Sequence, residues 1–456
     1  HIVGLVNQFY TILFYAILGL QGRCFKTSML VFTKIRKIFS AYFFIKSEHK
    51  ILCHMGEVLH IMNNFDWYAP THVVFGKETE LEVSSLLKES KCNRVLLHYG
   101  SGSVIRSGLL DRIKASLAEA SIDYVELGGV VANPRLSHVY KGIDIAKSNE
   151  IDFILAVGGG SVIDSAKAIA YGAVADFDVW DIYDRKQIPQ SALPIGVVLT
   201  IAAAGSEMSN SSVITNEDGG IKRGYSNNLA RPRFAILNPE LTMTLPDYQT
   251  ACGCTDIMMH TMERYFTSAG NMELTDGIAE ALMRTVARNA LILVDDPNNY
   301  DARAEIMWAG SLSHNGLTGC GNGGDDFATH RIEHEISGMF DIAHGAGLAA
   351  IWGSWARYVL DDCLPRFKKF AINVWDIKDS GDDREVALAG ISRTEAFFKQ
   401  IGMPISLRDF SFELTDEVID ELAEKCEKAV GGKVGAAKVL YRDDFKEIYK
   451  LAYEER

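Results

Sequence analysis

The chain lacks the spacings that mark several common chemistries. Eight cysteines are scattered along 456 residues without a CxxC pair, and Cys252 and Cys254 stand only two apart. They read as reduced thiols of a cytosolic protein, not as a disulfide framework or a cysteine metal site. Positive charge is also short: 46 Lys and Arg face 59 Asp and Glu, a net charge of −13. A surface for nucleic acid or an anionic membrane is therefore not expected. No repeat, low-complexity tract or P-loop GxxxxGK occurs.

Apolar runs without charge are scarce as well, with one exception at the start. Residues Ile2 to Leu20 carry no charge and are followed by Arg23, Lys26, Lys34, Arg36 and Lys37. Up to Ile61 there are seven basic and two acidic residues, against 39 and 57 beyond it. Two readings fit. One is a membrane anchor. The other is a leader of translated upstream sequence, because Met55 to Met62 is encodable with a GGNGAGGT run of the bacterial ribosome-binding type. We take Met62 as the expected start and 1–61 as a leader, with the anchor as the alternative. On that reading no membrane association is expected.

From Val73 to Leu245 short apolar runs alternate with helical patterns, which predicts a parallel sheet covered on both faces. Arg94 to Tyr99 is a strand that runs into Gly100-Ser101-Gly102-Ser103. Asp152 to Val157 is a buried strand, followed by Gly158-Gly159-Gly160-Ser161 and a helix from Val162. Glycines there let a backbone approach a diphosphate, and the helix start offers free N–H groups. Ile105 stands where the first turn would need a third glycine for GxGxxG. After Leu245-Pro246 the patterns become long and helical, placing a boundary between 62–246 and 247–456.

In the helical half Asp256 and His260 are spaced i and i+4 on one face, with Glu263 near it. His330 and His334 share a face in the same way, and His344 follows a helix stop expected at Ser337-Gly338. His344 is about 21 Å from His330 along an unbroken helix, so the chain must turn back for both to touch one ion. Surface histidines would account for either stretch alone. Together they offer an Asp with two or three His, a set suited to Fe(II), Zn, Ni or Mn. HExxH fails, since Arg331 follows His330 and Gly338 takes the place of the second His after His334-Glu335.

Four separated motifs, GGGSVIDSAK from Gly158, GSEM from Gly205, LPDYQTACGCTDIMMHTME ending at Glu263 and HRIEHEISGMFDIAHGAGLA from His330, resemble the iron-containing, metal-dependent alcohol dehydrogenases of the NADPH-dependent butanol dehydrogenase type. The resemblance runs from Met62 almost to the C-terminus. It implies an α/β dinucleotide-binding domain followed by an all-α metal-binding domain, the dehydroquinate synthase-like architecture, and a cytoplasmic homodimer. It implies Asp256, His260, His330 and His344 as metal ligands, Fe(II) being the expected ion and Zn the alternative, and His334 beside nicotinamide and substrate. Gly100, Gly102, Ser103 and Gly158 to Ser161 would serve the cofactor, Thr200 and Ser209 the nicotinamide end, and Lys222 the ribose. The activity implied is hydride transfer between nicotinamide and a short- to medium-chain primary alcohol or aldehyde. Ser101, Ala204 and Asn238 depart from the usual glycine, threonine and aspartate of the family, and none of these is a ligand.

NADP is expected over NAD. No Asp or Glu lies between Tyr99 and Asp111 to accept from ribose hydroxyls, and Arg106 is near. Two rivals stand beside this reading. A lyase of the dehydroquinate synthase type would call for many Lys and Arg around the metal helices, where His330 to Leu348 holds only Arg331. A non-enzymatic nucleotide-binding protein would need no metal set.

Overall fold

The computed structural model describes residues 62–267 and 272–454. The leader at 1–61, with its anchor alternative, lies outside the described residues. Within them no helix is long and apolar enough to cross a membrane.

The first half contains β1 (His72–Phe75), β2 (Arg94–Gly100), β3 (Asp123–Val130), β4 (Phe153–Gly158), β5 (Ile195–Leu199), a hairpin of β6 (Ser211–Asn216) and β7 (Ile221–Ser226), and β8 (Phe234–Leu237). Every residue of β4, β5 and β8 is buried. Strands without a polar face must be covered on both sides, the condition of a parallel sheet between helices. Accordingly six strands pair in parallel in the order β1-β8-β5-β4-β2-β3, while β6 and β7 form a separate antiparallel pair.

Alternate residues feed two cores. Val95, Leu97, Phe153, Leu155 and Val198 face helices α1 (Val83–Glu89) and α2 (Leu109–Glu119). Leu96, Ile154, Ala156 and Val197 face α3 (Leu136–Ser148) and α4 (Gly160–Gly172), and this second core continues without a break into the helical half. The chain moves outward from β2 to β3, returns to β4 and then moves the other way to β5. The winding thus reverses between β2 and β4, and an open parallel sheet takes ligands at the C-terminal ends of such a pair. Both glycine-rich turns open from those two ends.

Beyond β8 lie α5 (Asp247–Tyr265), α6 (Glu273–Asp295), α7 (Tyr300–Ser313), α8 (Ala328–Phe340), α9 (His344–Val359), α10 (Leu364–Trp375), α11 (Asp383–Gln400), α12 (Asp416–Val430) and α13 (Arg442–Tyr453). The stop predicted at Ser337-Gly338 is misplaced: α8 runs on to Phe340 and ends at Asp341, whose φ of 52° is left-handed. Gly338 instead permits close packing, since a methyl there would lie 2.8 Å from the Gly220 carbonyl oxygen in the β6–β7 turn.

A similar contact joins α5 to the sheet half. A methyl on Gly253 would sit 2.2 Å from the Ala202 carbonyl oxygen, which cannot rotate aside as a side chain could. Gly253→Ala is therefore expected to destabilise the protein by about 1–3 kcal/mol. Gly277, exposed within α6 with nothing within 4 Å of an added methyl, provides the opposite case. Gly277→Ala should stabilise by roughly 0.5–1 kcal/mol. Urea unfolding of both variants beside the parent checks the pair, and equal midpoints would refute the tight docking of α5.

Candidate active site

Three helices converge on one carboxylate oxygen. Asp256 and His260 lie one turn apart on α5, both buried, with His260 Nε2 3.4 Å from Asp256 Oδ1. From α8, His330 Nε2 comes within 3.7 Å of the same oxygen. From the first residue of α9, His344 Nε2 comes within 3.9 Å. These separations are too long for hydrogen bonds. Asp256 Oδ1 and His330 Nε2 are both buried with no hydrogen-bond partner among the described residues.

The reversal that returns His344 to His330 is pinned from the other half of the molecule. Asp341, in its left-handed conformation at the end of α8, accepts from Asn133 Nδ2 at 2.9 Å and pairs with Arg135 at 2.9 Å. The loop that carries Asn133 and Arg135 thus holds the α8–α9 corner. Ligand atoms of Asp256, His260 and His330 all lie within 4.8 Å of one another. His344 groups equally closely with Glu333 and His334, so it stands at the junction between that cluster and the first. It is also the most open of the four, with a quarter of its side chain exposed.

Two buried carboxylates set the proton positions. Glu263 Oε1 accepts from the His330 backbone N–H at 3.0 Å and meets His330 Nδ1 at 2.9 Å. Glu333, wholly buried, bonds to His344 Nδ1. A carboxylate on Nδ1 keeps the proton there and leaves the Nε2 lone pair pointing inward. Burial alone would raise the Glu333 pKa, but the neighbouring His344 and Lys222 lower it, so it is held as a carboxylate. Burial, then His314 and His330, drive the His260 imidazole well below its ordinary pKa and leave it a neutral donor. For His330 burial acts in the same direction, yet the carboxylates of Asp256 and Glu263 outweigh it and raise the pKa. Four convergent donor atoms, two of them buried and unpartnered, fit a divalent cation.

His334 is buried and forms no hydrogen bond among the described residues. Its ring lies 5.4 Å from that of His344 and 6.4 Å from that of His330. Burial, then Lys222, His344 and Arg331, lower its pKa well below the ordinary value. Glu333 and His314 were not singled out from the sequence. Glu333 had a signal, a charge three residues from His330 on the buried face of the helix. His314, whose ring lies 3.9 Å from that of His260 and whose Nδ1 is 3.0 Å from Arg264, had none.

The glycine turns divide by purpose. A methyl on Gly158 would lie 2.5 Å from Val162, and one on Gly159 would lie 2.0 Å from Ile201, so packing already demands these two glycines. Gly160 meets nothing nearer than Ala204 at 3.9 Å and is the open member, followed by Ser161 in the first turn of α4. In the other turn Gly100 ends β2, Gly102 precedes the single helical turn of Ser103–Arg106, and a methyl on Gly102 would lie 2.6 Å from an Arg106 guanidinium nitrogen. Thr200 is half-buried, and its N–H donates to the Gly158 carbonyl at 3.1 Å.

Ser209, expected at the nicotinamide end, is buried in the loop after β5, and its hydroxyl accepts from Lys167 Nζ at 3.3 Å. Lys167, fully buried, also donates to carbonyls of Ser206 and Ser211 at 2.7 Å each and so ties down the loop after β5. Lys222 Nζ is likewise engaged, donating to Asn133 Oδ1 at 3.0 Å and Ser337 Oγ at 2.9 Å. The count of basic residues along the metal helices also misleads. Arg185, Lys222, Arg223 and Lys428, from other elements, join Arg331 around a cavity that reaches His334.

The sequence profile described as iron-containing alcohol dehydrogenase matches residues 70–239, and that of the Fe-containing alcohol dehydrogenase family, C-terminal, matches residues 250–453. A protein of Bacillus subtilis named probable NADH-dependent butanol dehydrogenase 1 is 43% identical over 394 residues, spanning 86% of this chain and 100% of the relative. The NADPH-dependent aldehyde reductase YqhD of Escherichia coli is 34% identical over 395 residues, with the same two coverages. The crystal structure of NADH-dependent butanol dehydrogenase A from Thermotoga maritima superposes with a TM-score of 0.83 at 38% identity, covering 87% of this chain and 100% of the other. With both family profiles matched in order across the two halves of the fold, the chain belongs to the iron-containing alcohol dehydrogenase family.

Proposed function

We propose that the chain is a metal-dependent, NADP-linked alcohol dehydrogenase or aldehyde reductase acting on short- to medium-chain primary alcohols and aldehydes. Asp256, His260, His330 and His344 would hold the divalent ion, Fe(II) before Zn. The observation that carries this reading is the buried, undonated Oδ1 of Asp256 with three imidazole Nε2 atoms 3.4 to 3.9 Å away. A carboxylate oxygen and three imidazole nitrogens suit either ion. When bound, the ion supplies Lewis acidity to the alcohol or aldehyde oxygen, and the nicotinamide supplies the hydride chemistry.

The rest is done by the chain's own groups. Glu263 and Glu333 hold protons at Nδ1 of His330 and His344 and so orient both rings. His334 is neutral and unbonded, and a ring nitrogen of it is free to take or return the proton of a substrate hydroxyl. Gly160 and the start of α4 offer close backbone approach and free N–H groups to a diphosphate at the end of β4. Lys222, held between Asn133 and Ser337, is poised beside His334 for the ribose.

For the cofactor, the names of the relatives divide between NADH and NADPH. NADPH is favoured here by the turn after β2, which carries no carboxylate and lies under the Arg106 guanidinium. A 2'-phosphate is drawn to such a group, whereas a ribose 2'-hydroxyl is not.

Three measurements test these assignments. His260→Ala should lose both bound metal and turnover, while His334→Ala should keep its metal and lose about 100-fold or more in kcat; full activity of the parent after chelation would reject the scheme. Glu333→Gln should weaken metal retention about 10- to 100-fold, read by competition with a chelator. Arg106→Ala should lower kcat/KM for NADPH about tenfold and leave NADH within about twofold. Parallel losses with both cofactors would sink the 2'-phosphate assignment.

A further inference from the structure

The cavity beside His334 is lined by five cations, two of which lack any side-chain hydrogen bond or ion pair among the described residues. It occupies about 110 Å³ between β7, the segment after Tyr183, α8 and the end of α12. Its charged groups are unevenly paired. Arg223 is satisfied by Glu335 at 3.1 Å, Asp184 by Lys186 at 2.9 Å, and Lys428 by Glu424. Lys222 is buried, and its ammonium is hydrogen-bonded only to the neutral Asn133 and Ser337. Arg331, only partly exposed, and Arg185, exposed, form no side-chain hydrogen bond or ion pair among the described residues. Two guanidinium groups without an ion pair among the described residues therefore line one concavity beside the Lys222 ammonium, in a protein whose net charge is −13.

Gathering unpaired cations in a partly desolvated space is costly unless an anion completes it. The space is large enough to admit one phosphate or carboxylate group. Guanidinium forks match the oxygens of either group. We propose that this cavity is an oxyanion subsite, with Arg331 as its principal ligand and Arg185 at its mouth. His334 forms its inner wall, so a group bound there adjoins the candidate active site. The anion has two sources of the same chemistry: a free inorganic oxyanion, or a carboxylate carried at the far end of an aldehyde substrate.

Binding of inorganic phosphate to the metal-loaded protein, followed by calorimetry, tests the subsite without any turnover and so independently of the proposed reaction. The parent should bind one phosphate per chain, and Arg331→Met should weaken binding about tenfold or more while leaving the dissociation constant of NADPH unchanged. Arg185→Ser, at an exposed position where folding is not at stake, should weaken phosphate as well. Displacement of phosphate by succinic semialdehyde but not by butanal, which has the same number of carbons, would assign the source to the substrate carboxylate. Failure of both to displace it would assign a free oxyanion. No saturable binding, equal binding in parent and both variants, or phosphate displaced by NADPH with Arg331→Met unaffected would overturn the proposal.

Discussion

The structure turns on one buried oxygen. Asp256 Oδ1 is buried without a hydrogen-bond partner among the described residues, and three imidazole nitrogens stand 3.4 to 3.9 Å from it. An uncompensated carboxylate in the interior is among the costliest arrangements a fold can hold. It persists here because α5, α8 and α9 are each locked by contacts made away from the site. The geometry is thus imposed on the donor atoms by their helices, as a preformed cation site requires.

The second constraint is protonic. Neutral imidazole has one nitrogen to donate and one to bind, and nothing in the bare ring chooses between them. Glu263 makes the choice for His330, and Glu333 makes it for His344. Each acid lies on the helix that also carries a ligand: Glu263 seven residues beyond Asp256, and Glu333 three beyond His330. The support therefore passes along three helices in turn, since Glu263 of α5 orients a histidine of α8, and Glu333 of α8 orients one of α9.

How much of this could be read from the sequence depended on whether the signal was local. Asp256 and His260 were legible because the spacing of one helical turn is a property of the helix itself. The strand before each glycine turn was legible because a continuous apolar run needs cover on both faces. The meeting of His330 and His344 was anticipated, but for the wrong cause. Gly338 looked like the helix stop, whereas Asp341 forms the corner with help from Asn133 and Arg135, more than 200 residues earlier. No local pattern carries that information. Gly158 and Gly159 were read as phosphate-binding, yet Val162 and Ile201 alone would exclude any larger residue. The hydrogen bond from Lys167 to Ser209 was not legible either, because the lysine lies 42 residues away.

What sets the distance between the two halves is backbone against backbone. Gly253 of α5 rests on the Ala202 carbonyl, Gly205 on the Gly310 carbonyl of α7, and Gly338 of α8 on the Gly220 carbonyl of the hairpin turn. At all three places an added methyl would meet a carbonyl oxygen at 2.2 to 2.8 Å, so no side chain mediates the contact and none can relax to change it. These contacts join α5, α7 and α8 to the loop after β5 and to the β6–β7 turn. Direct hydride transfer demands reacting atoms held about 3–3.5 Å apart, and small misplacement is expensive. Side chains hop between rotamers, whereas carbonyls in packed helices and turns do not. A fold with its candidate cofactor turns in one half and its candidate cation ligands in the other can hold such a tolerance only through contacts of this rigid kind.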